Sequence, residues 1–157
     1  MFRQARIKTH LIFADADKAK IKVEPAKIFL GDPKVTCRYS VISTKNDAPL
    51  NCWLGVTAKD NGCNSLIIPK DLLLALGILT LEQYDDIQGM ARSIAAIVRD
   101  ELLQKGIVLW GINLRFGLHS NGKVMLIGRI SPSSLHVNKD GQKLSFLKIA
   151  ELFFANS

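Results

Sequence analysis

The 157 residues carry 21 Lys+Arg against 14 Asp+Glu, a net charge of +7, and 48% of them are hydrophobic. No apolar run reaches the ~18–20 residues of a membrane-spanning helix, and the basic start MFRQARIKTHLIF lacks the apolar stretch and small-residue cleavage site of a secretory signal, so the expectation is a soluble cytoplasmic protein. That length suits one domain or two small lobes with a sizeable core. The positive balance favours anionic partners, namely nucleotides, nucleic acid or an acidic protein surface, although solubility alone also accounts for it. Cys37, Cys52 and Cys63 are odd in number and show no C-x-x-C spacing, so they read as buried or reduced thiols. His10, His119 and His136 have no ligand spacing, and no metal site is expected.

In chain order, residues 6–13, 20–30 and 34–43 read as strands. Val35, Cys37, Tyr39 and Val41 alternate with Thr36, Arg38 and Ser40, the period of a half-buried strand. Gly31-Asp32-Pro33 and Asn46-Asp47 punctuate as turns, and Pro25 makes its strand an edge or interrupts it. Residues 51–56 add a strand, and 59–65 read as a loop. Pro69 suits the first turn of a short helix over 70–76, stopped by Gly77.

Thr80-Leu81-Glu82-Gln83 spells a capping box. The helix behind it places Ile87, Met90, Ala91, Ile94, Val98 and Leu102 on one stripe, with Gly106 as its C-terminal stop. Gly89 in its middle suggests close packing there. Residues 107–118 and 123–130 are apolar-rich runs separated by His119-Ser120-Asn121-Gly122, a strong hairpin signal. A two-residue Asn121-Gly122 loop sets Arg115 opposite Gly128. Alternation then gives Trp110, Ile112, Leu114, Phe116 and Leu118 to the core face, and Gly111, Asn113, Arg115 and Gly117 to the other. Trp53 also reads as core, Ser131-Pro132-Ser133-Ser134 as a turn, and Phe146, Ile149, Ala150 and Phe153 as an amphipathic C-terminal helix. The fold class is α+β: a small antiparallel β lobe over 1–66, then an α+β lobe over 67–157 holding a sheet covered by the long helix.

Residues Gly106-Ile107-Val108-Leu109, Phe116-Gly117, Leu126-Ile127 and Ile130-Ser131-Pro132 resemble the SAICAR synthetase pattern G-I-I-L-x-D-x-K-x-E-F-G, hairpin, L-I-D-E-I-S-P-D-T-C-R-L-W. Leu76-Gly77-Ile78 and Ala26-Lys27-Ile28 are similar to two further segments of that family. The resemblance implies the family's fold and its reaction: ATP phosphorylates a substrate carboxylate and the amine of aspartate displaces the phosphate. It also implies clustered carboxylates for magnesium. At those positions this chain has Gly111, Asn113, Arg115, Gly128, Arg129 and Ser133, with His136 at the family's arginine and Asn138 at its tryptophan.

Since arginine has no acceptor and stays protonated, the expectation is a chain without catalytic residues, metal or cofactor. Such a chain would be reused as a binding or scaffold subunit for a protein partner or larger complex, or as a homo-oligomer. A nucleic-acid-binding module and a nucleotide-dependent enzyme with altered chemistry are the alternatives. Lys27, Arg115, Arg129 and His136 are the candidate anion-binding residues; the bland reading of the same four is solvated side chains. Gly111, Asn113, Gly128 and Ser133 mark the former family site.

Overall fold

Short-range hydrogen bonds define the long helix before any packing is considered. The computed structural model describes residues 7, 9, 11–15, 20–29, 34–38, 53–58 and 66–154. Within it, Thr80 Oγ1 accepts from the Gln83 N–H at 3.2 Å, and Gln83 Oε1 accepts from the Thr80 N–H at 3.0 Å, so both halves of the capping box form. The helix, α2, spans Leu81–Leu103, after the short α1, Lys70–Ala75. At its far end the Gly106 N–H reaches Leu103 O and the Ile107 N–H reaches Leu102 O. Gly106 sits at φ 69, the left-handed turn that ends helices in this pattern. Tyr84, Ile87, Ala91, Ile94, Ala95, Val98 and Leu102 form its buried stripe. Gly89 lies outside that stripe, and a Cβ built on it meets nothing within 4 Å. The expected close packing is absent there.

The stripe lies on an antiparallel sheet. Its strands are β3 (Lys27–Ile28), β4 (Lys34–Arg38), β5 (Trp53–Ala58), β6 (Leu66–Ile68), β7 (Val108–Leu118), β8 (Val124–Ile127), β9 (Leu135–Lys139) and β10 (Gln142–Lys143). A separate hairpin joins β1 (Leu11–Asp15) to β2 (Lys20–Val23). Strand formation stops after Val23 and resumes at Lys27, as Pro25 dictates. The main order is β10-β9-β7-β4-β5-β6, with β3 and β8 also paired to β7. The eight strands come from both chain segments, 1–66 and 67–157, so one sheet runs through both. This is an α+β fold with a curled antiparallel sheet.

The long strand β7 organises the sheet because it pairs along both edges. On one edge lie β4, opposite residues 111–115, and β3, opposite 117–118. On the other lie β9, opposite 108–112, and β8, opposite 115–118. Ile107, Leu109, Ile112, Leu114 and Phe116 point into the core with the α2 stripe, joined by Leu73 of α1 and by Ile149 of α3 (Phe146–Phe154). Cys37 is buried in the same core. The expected turns at 31–33 and 46–47, the loop at 59–65, and the side chains of Cys52, Trp53, Cys63, Phe146, Ala150 and Phe153 lie outside the described residues.

Two expectations about β7 are corrected. The hairpin turn has three residues, not two: the His119 N–H bonds Lys123 O at 2.8 Å and the Gly122 N–H bonds His119 O at 2.9 Å. Gly122 takes φ 79, which makes a tight turn with a glycine bulge. Arg115 therefore faces Ile127, and Gly128 falls beyond the end of β8. The turn is held by His119, whose Nδ1 accepts from the Asn121 N–H at 3.0 Å while Nε2 meets Glu24 Oε1. Second, the β7–β9 register shifts between Leu109 and Gly111. That extra residue breaks the alternation, so Trp110 is 39% exposed instead of joining the core.

Candidate functional site

The β8 and β9 edge of β7 is split. β8 pairs from residue 115 onward and β9 pairs up to residue 112, so the two ladders leave a gap at residues 113 and 114. The chain leaves β8, turns at Gly128 (φ 82) and crosses this gap through the 3-10 turn Pro132–Ser134. A glycine suits position 128 for its backbone, since a Cβ there meets open space but the positive φ strains other residues. Serine hydrogen bonds tie the crossing segment to itself. Ser134 Oγ donates to Ser131 O at 2.7 Å and accepts from the Ser131 N–H at 3.1 Å, and the Ser131 and Ser133 hydroxyls lie 2.8 Å apart.

Together these elements wall an open groove of about 340 Å³ whose polar lining comes from Asn113, Arg115, Arg129 and the serines at 131, 133 and 134. The volume lies at the lower end of small-ligand sites. Arg115 is half-buried and Arg129 exposed. The fold thus brings Arg115 and Arg129 to one groove, with Asn113, Gly128 and Ser133. With a two-residue hairpin loop, alternation would set Arg129 opposite Leu114, on the core face. The three-residue turn moves the register by one, which puts Ile127, and the position two residues beyond it, on the Arg115 face.

His136 stands opposite Gly111 on β9, and its Nε2 lies 3.3 Å from Asn113 Nδ2. A second pocket of about 460 Å³ begins there, lined by Trp110, Gly111, His136, Asn138 and Lys143 among others. With the Asn138 amide turned to satisfy both of its ends, its oxygen accepts from Trp110 Nε1 at 3.1 Å. Lys27 is separate: it pairs with Leu118 on the opposite edge of β7 and lines neither groove. From the sequence Trp110 reads as core and Ser131 and Ser134 as part of a turn, and Lys143 was not singled out. Gly111 beside a tryptophan was a usable sign, because glycine inside a strand often marks a bulge.

Magnesium, implied by the family resemblance, does not fit this donor set. Among the described residues the groove lining holds no carboxylate, imidazole or thiol, and no group of three His, Cys, Asp or Glu side chains gathers. Two guanidinium groups at such a place repel a divalent cation and cannot ligate it. They match phosphate or carboxylate oxygens, which a guanidinium grips through paired N–H donors. Among the described residues no helix is long and apolar enough to cross a membrane.

A family model described as SAICAR synthetase matches residues 45–144. The phosphoribosylaminoimidazole-succinocarboxamide synthase of Clostridium tetani is 34% identical over 160 residues, covering 96% of this chain and 70% of that protein. A solved SAICAR synthetase superposes with a TM-score of 0.75 at 24% identity, over 98% of this chain and 75% of the other. Another, solved in complex with ADP, gives a TM-score of 0.74 at 23% identity, over 99% and 68%. At those identities the structures establish the fold alone.

The expectation of a chain without enzymatic function is corrected here, since the relative and both solved neighbours carry the name of an enzyme. The residues at Gly111, Asn113, Arg115 and Gly128 describe the charge that the groove holds and do not argue against catalysis. By the family-model match and the extent of the Clostridium tetani match, the chain belongs to the SAICAR synthetase family.

Proposed function

We propose that the chain acts as a nucleotide-dependent ligase of the kind its relatives are named for, with the β7 groove receiving the phosphate-bearing ligand. The observation that carries this reading is the meeting of Arg115 and Arg129 at the split edge of β7. The relatives' name describes an amide between a phosphoribosylaminoimidazole carboxyl group and the amine of a succinyl unit. Such an amide forms when the carboxylate attacks the terminal phosphorus of ATP, releasing ADP, and the aspartate nitrogen then displaces phosphate and loses a proton. In this reading the two guanidinium groups hold phosphate oxygens and stabilise charge as it builds. His136 orients the Asn113 amide toward the same ligand. A cytoplasmic location belongs to the same reading.

The test is ADP release from ATP in the presence of aspartate and the phosphoribosylaminoimidazole carboxylate. Release that requires both co-substrates is the expected result. A chain that neither releases ADP nor binds nucleotide in a titration overturns the reading.

The net charge of +7 supports a second reading, contact with a nucleic acid. Affinity for a polynucleotide would then fall steeply with salt, and absence of binding at low salt would dismiss it. A protein partner or a second copy of the chain is supported by the half-exposed Leu72, Leu76 and Leu81; light scattering that shows only a monomer in cell-free solution and in lysate would count against it.

A further inference from the structure

We infer that the second pocket binds a purine nucleoside monophosphate, its base laid on the Trp110 indole and its phosphate met by Lys143. The site is not the β7 groove, so the inference stands apart from the ligase reading. It starts from the register shift between Leu109 and Gly111. Trp110 is 39% exposed there, in a strand whose Leu109 and Ile112 are buried. The exposed indole lines a cavity of about 460 Å³, a size within the range of small-ligand sites.

The indole is held in place. With the Asn138 amide turned, its oxygen accepts from Trp110 Nε1 at 3.1 Å and its nitrogen donates to Val137 O at 3.1 Å. The polar edge of the indole is thus engaged by the protein, and what the ring offers a ligand is its π surface. Asn138 is itself placed by two ladders, opposite Val108 on β7 and opposite Lys143 on β10. The turn between β9 and β10, with Asp140 at φ 50 and Gly141 at φ 76, is the tight two-residue form that fixes this register. One asparagine therefore ties down the indole and stands across from the lysine, and opposing residues keep their Cβ atoms about 4.5–5.5 Å apart. Lys143 lines the same cavity.

Ring size decides the ligand class. Stacking on an aromatic side chain uses the face of a base and gains with the area overlapped. A bicyclic purine covers the bicyclic indole, whereas a single imidazole ring covers only part of it. The ammonium of a lysine is a compact point charge on a flexible stem, which one phosphate group satisfies.

The experiment is calorimetric titration of the full chain with AMP, adenosine, ribose 5-phosphate and the phosphoribosylaminoimidazole carboxylate, each without ATP or aspartate. AMP is expected to bind tightest, and ribose 5-phosphate about tenfold more weakly for want of stacking. Trp110→Leu is expected to weaken AMP binding by about tenfold, and Trp110→Phe by less because a ring remains. Lys143→Ala is expected to weaken AMP severalfold and to leave adenosine unchanged. Both side chains are exposed, and circular dichroism checks that the fold persists. In Trp53→Phe, Trp110 is the remaining tryptophan, and saturable quenching of its emission by AMP is expected. Ribose 5-phosphate binding as tightly as AMP would place recognition on the phosphate and overturn the inference. Equal or tighter binding of the imidazole carboxylate overturns it too, as does full AMP affinity in Trp110→Leu. Absence of AMP binding overturns it and leaves the ligase reading to its own test, ADP release.

Discussion

The two faces of β7 obey different rules. Toward α2 it presents Leu109, Ile112, Leu114 and Phe116, each at most 3% exposed and each packed against side chains of at least one other element. Toward the groove it presents Asn113 and Arg115, with the turn at Gly128 and the Ser131–Ser134 segment beside them, and Gly111 lines the second pocket. One face is held by apolar area that only a folded chain can hide. The other is held open because β8 and β9 take separate stretches of the strand's edge. The comparison teaches that stability and recognition sit on opposite sides of the same eleven residues, so they can be perturbed separately.

The largest effect belongs to the covered face. Phe116→Ala removes a 2%-exposed aromatic ring from the core and is expected to lower unfolding free energy by about 3–5 kcal/mol in urea denaturation. A smaller loss would mean that the core collapses around the gap. Gly117→Ala sharpens the contrast on the other face. Its Cβ would come within 2.9 Å of Lys27 O and 3.3 Å of Ile127 side-chain carbons, so a loss of roughly 1–3 kcal/mol is expected as β3 is pushed away. A neutral result would show that β3 is held more loosely than its pairing suggests.

On the solvent side of α2, Gly89→Ala fills open space in a helix interior and is expected to stabilise by about 1 kcal/mol, read as a raised melting temperature. Destabilisation there would reveal a contact that Gly89 makes room for. Smallest of all, Arg129→Ala is expected to change stability by no more than about 0.5 kcal/mol in urea denaturation. A large stability loss would merge the two faces into one structural unit and end the comparison.

Elements closed by short-range bonds were legible from the residues. Thr80 and Gln83 name the start of α2, Gly106 names its end, and the 3.6-residue spacing names its buried stripe. Pro25 announced the break between β2 and β3. Arg115 was legible as a groove residue from alternation alone. Arg129 was not, because its face depends on the hairpin register, which the third turn residue shifts by one. Trp110 was assigned to the wrong face for a similar reason: the bulge beside it exists only in relation to β9. The hairpin loop was misjudged by one residue since Asn121-Gly122 serves a two-residue turn and the second half of a three-residue turn equally well. That single residue moved Arg115 from Gly128 to Ile127.

By itself, then, the sequence determined the helix limits, the α+β class and the family resemblance, all of which rest on residues a few positions apart or on motifs read directly. The pairing register, the exposed tryptophan, the split edge of β7 and the meeting of two arginines were decided by tertiary structure. Each depends on how distant strands divide one shared edge, and a slip of a single residue there turns every following side chain to the opposite face.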